Sequence, residues 1–256
     1  MKNNKISRSI ISLVYLFRIL RKINSLKHIG KYIKDFWRFR SLGGQVDLLN
    51  PILNDYEDTS GVASGHYFHQ DLLVARLICE ASPENHIDIG SRIDGFVAHV
   101  ASFREINVLD IRPLNSDVHM NIKFVQGDAT CLPSKMNSKY DSVSCLHSLE
   151  HFGLGRYSDT VDPAGHKKGF DSLCSLLSSE GLLYVSFPVS GDARVEFNAH
   201  RVLDPLQPID WAKANGLELI RFDMVDDTGG LHLGVEVEAA IAQKYGCGIY
   251  TFKLSS

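Results

Sequence analysis

Side chains that exchange protons near neutral pH are concentrated in one part of the sequence. His147, Glu150 and His151 follow a short apolar stretch, and His200 comes further along the chain. Histidine titrates near neutral pH, and a neighbouring carboxylate can orient its ring and stabilise its charged form. We therefore predict that His151 or His200 acts as a general base and that Glu150 orients it. A structural, hydrogen-bonded role is the alternative for each histidine.

The same side chains are also suited to binding a metal. His147, Glu150 and His151 stand at positions i, i+3 and i+4, which share one face of a helix, and His200 could complete the set. Nitrogen and oxygen ligands together suit a divalent first-row metal. A divalent metal is therefore an open alternative, but proton transfer is favoured and no metal ligand is assigned.

Polar residues around this group are candidates for holding a substrate. These candidate substrate-binding residues are Arg156, Tyr157, Asp162 and Arg201. Arginine binds phosphate or carboxylate through two parallel hydrogen bonds, which would suit an anionic acceptor. Surface ion pairs are the alternative role for the arginines.

These residues need a scaffold, and the apolar pattern predicts one. Short apolar strands are predicted at 86–89, 106–111, 122–126, 140–145, 181–187, 217–225 and 247–254, and helices at 66–81, 95–103, 166–177 and 209–215. Alternation of strands and helices is typical of an α/β fold. We predict a Rossmann-like, mostly parallel sheet of seven strands with helices on both faces.

Several further polar residues come where a predicted strand ends. In open α/β sheets, ligands bind beyond the carboxyl ends of the strands. A glycine there lets the backbone approach a ligand, and an acid ending the second strand can bind ribose hydroxyls. An aspartate after the third strand could meet an adenine amino group. The candidate cofactor-binding residues are Asp88, Gly90, Ser91, Asp110, Ile111, Asp128, Ala129 and His147.

The region from about 85 to 188 resembles class I S-adenosylmethionine (SAM) dependent methyltransferases. That superfamily holds the methionine end of SAM with a D/E-x-G loop, the ribose with an acid on strand two and the adenine with a G-D-A segment. The matching residues are Asp88 with Gly90, Asp110, and Asp128 with Ala129. The superfamily usually has two further glycines in the loop, where this chain has Arg92 and Asp94. The resemblance implies SAM as the cofactor.

A longer stretch, roughly 60–254, resembles uncharacterised bacterial proteins that are often associated with surface-polysaccharide synthesis. The segments DIGSRIDGF, SLEHFGLGRY, FNAHRVLDP and YGCGIYTFK carry this resemblance. It implies a methyltransferase acting on a sugar hydroxyl of a surface glycan or of its lipid-linked precursor.

Three other functions remain open. An NAD-dependent oxidoreductase shares the strand–loop–helix and the second-strand acid, but Gly90 and Gly95 do not form G-x-G-x-x-G. A catalytically inactive, membrane-peripheral scaffold would account for the altered glycine loop. Nucleic-acid methylation is disfavoured, because the catalytic part is acidic.

The beginning of the chain differs in charge from the rest. Residues 1–40 hold eleven Lys or Arg and one acid, about +10, whereas the other residues carry about −13. Apolar residues recur at helical spacing at Ile6, Ile10, Leu13, Phe17 and Leu20. We predict a basic amphipathic helical segment over 1–45 and a methyltransferase-like domain over 60–256. The segment is expected to contact an anionic membrane, with packing on protein or binding of nucleic acid as the alternatives.

Cysteine usage indicates a reducing compartment. The five cysteines are an odd number and form no C-x-x-C pair, which disfavours a disulfide framework. A cytoplasmic protein is therefore expected, with peripheral contact at the inner face of the cytoplasmic membrane as a further expectation.

Overall fold

The computed structural model describes residues 25–115, 119–132 and 139–255, and the chain divides into two units at 62/63. In the smaller unit, helix α1 (Ile29–Ser41) follows a 3-10 turn and buries no side chain. Lys27 Nζ lies 2.9 Å from a carboxylate oxygen of Glu57. The apolar stripe predicted from Ile6 to Leu20 lies outside the described residues.

The larger unit is built on ten strands. They are β1 (His86–Ile89), β2 (Ile106–Asp110), β3 (Ile122–Gln126), β4 (Tyr140–Leu146), β5 (Leu177–Val189), β6 (Arg194–Glu196), β7 (His200–Val202), β8 (Leu217–Val225), β9 (Leu231–His232) and β10 (Gly246–Leu254). Eight of them form one sheet in the order β3-β2-β1-β4-β5-β10-β8-β9, while β6 and β7 form a separate hairpin. Strands β1 to β5 pair in parallel, and β10 runs antiparallel to both β5 and β8.

The prediction of seven strands was wrong by one. Each of the seven predicted segments is a strand of the main sheet, and the eighth is the two-residue strand β9. A turn at Gly229 and Gly230 folds the chain back, so Leu231 and His232 pair with the end of β8. So short a pairing leaves no period-two pattern that the sequence could reveal.

Helices cover both faces of the sheet, as predicted. They are α2 (His66–Ala81), α3 (Ala98–Ala101), α4 (Gly165–Ser175) and α5 (Gln207–Ala214). Alternate residues of β5 serve two cores: Leu183 and Val185 pack with α4 and α5, while Tyr184 packs with α2 and α3. This alternation follows from the period of a strand, whose successive side chains point to opposite faces.

The helix predicted at 95–103 is shorter and less regular than expected. A π-helical turn at Ile93–Val97 precedes α3, and Gly95 within it has φ −122° and ψ −113°, outside the helical region. A Cβ at this position would lie 3.0 Å from a carboxylate oxygen of Asp71, so a side chain would crowd the loop. None of the described helices has the length and apolar character needed to cross a membrane.

Candidate functional site

A cavity of about 1200 Å³ opens at the carboxyl ends of β1 to β4. The order of the sheet reverses between β1 and β4, which is where open α/β sheets bind ligands. Single-ligand sites usually measure about 300–1,000 Å³, so this cavity is larger than a site for one small molecule usually is. Twelve of the residues predicted to bind cofactor or substrate, or to act in catalysis, line it: Gly90, Ser91, Asp110, Ile111, Asp128, Ala129, His147, Glu150, His151, Arg156, Tyr157 and His200.

A buried chain of hydrogen bonds supports the loop after β1. His86 Nδ1 lies 2.7 Å from Ser142 Oγ, and its Nε2 lies 3.2 Å from Ser144 Oγ. The Ser144 hydroxyl donates to Asp88, whose carboxylate also accepts from the backbone and the hydroxyl of Ser91. Burial raises the pKa of Asp88 to about 7, although these donors favour its charged form.

Asp88 is therefore directed into the protein and does not line the cavity. Its carboxylate orders the loop, and the loop in turn presents Gly90 and Ser91 to the cavity. Gly90 has φ 76°, and a Cβ there would overlap Ser148 Oγ. The position thus requires glycine both for its backbone conformation and for the close approach of Ser148.

Asp110, at the end of β2, is held by an arginine two residues later. Arg112 donates through its backbone N–H and Nε to Asp110 Oδ1 at 2.8 and 2.9 Å, and its Nη2 bonds the other carboxylate oxygen. Arg112 also reaches the carbonyl of Gly90, and its guanidinium lies 5.0 Å from the centre of the Tyr157 ring. This contact links the loops after β1 and β2 to the loop after β4.

Asp128 forms a tight turn after β3. Its Oδ1 accepts from the backbone N–H and the hydroxyl of Thr130, at 2.8 and 2.7 Å. Both bonds use the same oxygen, so the second carboxylate oxygen has capacity to accept from a ligand.

Glu150 lies between two histidines at the end of β4. Its Oε1 is 2.9 Å from His147 Nδ1 and 3.7 Å from His151 Nε2, and Glu150 is almost fully buried. Burial disfavours both charged forms, but Cys247 and Glu150 together raise the pKa of His147, and His147 lowers the pKa of Glu150.

His151 has the geometry of a neutral base. Its Nδ1 lies 2.7 Å from the carbonyl oxygen of Ala199 and 3.3 Å from Arg156 Nη1. The shorter contact is with a group that can only accept, and Arg156 donates to that carbonyl at 2.7 Å, so we assign the proton to Nδ1 and a lone pair to Nε2. Burial lowers the pKa of His151, and the attraction of Glu150 does not restore it. His200 lines the same cavity, with its ring centre 6.3 Å from that of His151.

Two predicted substrate-binding residues are not brought to the cavity. Arg201 is buried and donates to the backbone carbonyls of Glu150 and Phe152, so it holds the loop that carries the histidines. Asp162 accepts from the backbone N–H of Ala164 and from Lys168. Arg156 and Tyr157, in contrast, both line the cavity.

Sequence reasoning missed a wall of the cavity. It is formed by residues of α2 and of the two loops that flank β9, among them His66, Gln70, Asp71, Thr228 and Tyr245. The helix itself was predicted, but nothing in its sequence shows that its first turn faces a ligand site. Asp71 is buried and lines the cavity, and burial raises the pKa of its carboxyl.

Comparison with known proteins identifies the fold but assigns no family to the whole chain. A family model described as "Caenorhabditis protein of unknown function, DUF268" matches residues 105–210. No curated protein matches the sequence significantly. Among solved structures, the CcbJ methyltransferase of Streptomyces caelestis superposes with a TM-score of 0.53 at 11% identity, over 79% of this chain and 96% of CcbJ.

Two further structures show the range of proteins that share this architecture. The N-methyltransferase NodS of Bradyrhizobium japonicum, in complex with S-adenosylhomocysteine, gives a TM-score of 0.51 at 13% identity over 75% of this chain and 89% of NodS. The [4+2]-cyclase SpnF gives 0.54 at 16% identity over 83% and 90%. The chain therefore has the Rossmann-like fold of class I SAM-dependent methyltransferases, a fold that by itself does not fix the reaction.

Proposed function

We propose that this protein is a SAM-dependent methyltransferase that methylates a sugar hydroxyl of a surface glycan or of its lipid-linked precursor. One observation carries the proposal: the predicted cofactor residues after β1, β2 and β3 and the acid–base group after β4 line the same cavity. The methyltransferase fold supports the reaction class. The choice of a glycan acceptor depends on the sequence resemblance.

Each part of SAM would be bound by different residues of the cavity. Gly90 and Ser91 would approach the methionine end, Asp110 the ribose, and Asp128 with Ala129 the adenine. Since the Asp88 carboxylate is used within the protein, we assign the amino group of SAM to Asp71, whose buried carboxyl lies at the cavity edge. Binding of the ribose by Asp110 would require Arg112 to give up part of its contact.

The acceptor half assigns proton removal to His151. Methyl transfer to a hydroxyl breaks the bond between sulfur and methyl, forms a bond between oxygen and methyl, and releases the hydroxyl proton. The lone pair at His151 Nε2 would take that proton, and the Glu150 carboxylate, 3.7 Å away, would stabilise the resulting imidazolium. Because the pKa of His151 is lowered, the residue is already unprotonated at neutral pH.

We expect His151→Ala to reduce methyl transfer about 10²–10⁴-fold, the usual contribution of a general base, while SAM affinity stays unchanged. The measurement is transfer of a labelled methyl group from SAM to extracted lipid-linked glycans. The wild-type rate should decline only below about pH 6.5, the ordinary histidine pKa. His119→Ala, on an exposed loop, is the control and should keep full activity.

The alternatives give different results in the same assay. A scaffold without catalysis would bind SAM and leave every glycan pool unlabelled. An NAD-dependent oxidoreductase would be stabilised against heat by NADH and not by SAM. If the wild type and His151→Ala label a glycan at equal rates, the protein is a methyltransferase but His151 is not its general base.

A further inference from the structure

A cluster of two histidines and one cysteine lies beside the acid–base group. His66 begins α2, His147 follows β4, and Cys247 is the second residue of β10. One ligating atom from each side chain lies within 4.8 Å of the other two. These residues are far apart in the sequence, so it is the fold that brings them together.

His147 is the best-defined member of the cluster. Its Nδ1 bonds Glu150, but its Nε2 is buried and has no hydrogen-bond partner. The side chain is 4% exposed, so it is shielded from bulk solvent. Buried polar atoms are nearly always satisfied, and one that is not calls for a ligand or an ion.

The contact between His147 and Glu150 is the arrangement that proteins use to orient a metal-binding imidazole. A carboxylate accepts a hydrogen bond from one ring nitrogen, which fixes the ring and leaves the other nitrogen free to bind the metal. His147 also has φ 47°, a left-handed conformation that costs energy for a residue other than glycine. The chain therefore holds this ring in an unusual position with its free nitrogen inside the cluster.

The donor atoms indicate the class of metal. Two imidazole nitrogens and one thiolate suit zinc and similar ions, whereas calcium and magnesium prefer oxygen. Both histidines line the cavity, so a fourth ligand could approach from that side.

We propose that His66, His147 and Cys247 bind one zinc-type divalent ion with its fourth coordination position open to the cavity. Zinc bonds of about 2.0–2.3 Å would join the ion to three donor atoms that lie within 4.8 Å of one another. Three protein ligands and one open position are typical of catalytic zinc sites, whereas structural sites have four protein ligands. The set differs from the one considered from the sequence: Glu150 orients a ligand, and His151 and His200 take no part.

Cobalt(II) is the probe for this site. The full-length protein is stripped with a chelator and titrated with Co²⁺, which gives a near-ultraviolet charge-transfer band when a thiolate binds it. We expect one equivalent to bind with that band and Zn²⁺ to displace it. Cys247→Ser should abolish the band, whereas Cys79→Ser, at an exposed cysteine on α2, should retain it.

A second variant tests the oriented histidine. Glu150→Gln should weaken Co²⁺ binding about 10–100-fold and leave the thiolate band in place, as expected for loss of an outer-shell carboxylate. The titration of the wild-type protein with Co²⁺ tests whether a metal ion binds even if a variant fails to fold. A stripped wild-type protein that binds no stoichiometric Co²⁺, or a folded Cys247→Ser variant with an unchanged band, would overturn the proposal. Neither readout depends on SAM or on methyl transfer.

Discussion

Gly90→Ala should destabilise the protein by about 2–5 kcal/mol and abolish measurable SAM binding. A left-handed conformation costs a residue with a side chain roughly 1–2 kcal/mol. The added Cβ would also overlap Ser148 Oγ, and crowding of this kind costs about 1–3 kcal/mol. The loop can relieve the overlap only by moving away from Ser148, which would displace Gly90 and Ser91 from the cofactor. Urea unfolding and calorimetric titration with SAM measure the two effects.

Gly216→Ala is a matched control for backbone strain. Gly216 has φ 72°, similar to Gly90, but a Cβ there meets nothing within 4 Å, and the residue does not line the cavity. The free energy of unfolding of this variant should fall only by the cost of the left-handed backbone conformation, roughly 1–2 kcal/mol. The variant should bind SAM normally. Adding Ser148→Ala to Gly90→Ala should restore part of the stability, because it removes the overlapping hydroxyl. Normal SAM binding by Gly90→Ala alone would contradict the role assigned to the loop.

Asp88→Asn should change how stability depends on pH. The folded-state pKa of Asp88 is raised to about 7, from an ordinary value of 3.8. A carboxyl with a raised pKa contributes its full stability below pH 4 and loses it as the pH rises to 7, because the unfolded chain ionises first. The free energy of unfolding of the wild type relative to Asp88→Asn should therefore fall by about 4 kcal/mol at most between pH 4 and pH 7.

The measurement is urea unfolding of both proteins across that range. Asp94→Asn is the comparison variant, because Asp94 is exposed and its pKa is lowered by Arg92. For that pair, the difference between wild type and variant should stay nearly constant between pH 4 and pH 7, and the wild type should lose stability relative to the variant only as the pH falls below about 4, which is the opposite slope. A difference between wild type and Asp88→Asn that does not change with pH would show that Asp88 is ionised in the folded protein.

Much of the scaffold could be predicted from local pattern. Seven strands and helix α2 are continuous apolar or amphipathic segments bounded by turn residues, so their positions could be predicted without tertiary information. The turn that creates β9 and the irregular loop around Gly95 could not. Both depend on contacts with distant residues: β9 pairs with the end of β8, and Gly95 lies beside Asp71.

The candidate site was predictable to the extent that strand ends define it. Asp110, Asp128 and His151 line the cavity because their strands end there. Asp88 also ends a strand, but it pairs in register with Ser144 of β4, whose hydroxyl takes up its carboxylate. Likewise, Arg201 binds carbonyls of a loop that the sequence does not show to be near. Such partners are set by sheet order and register, which a single sequence does not reveal.

Calorimetric titration with SAM and with S-adenosylhomocysteine tests the central claim most directly. The wild-type protein should bind one equivalent of each, and Asp110→Ala should lose both, because the ribose loses its acceptor at the end of β2. Asp141→Ala, at the opposite end of a central strand, should bind normally. If neither ligand binds the folded wild-type protein, the loop with Arg92 and Asp94 does not hold SAM, and the proposed methyltransferase function is wrong.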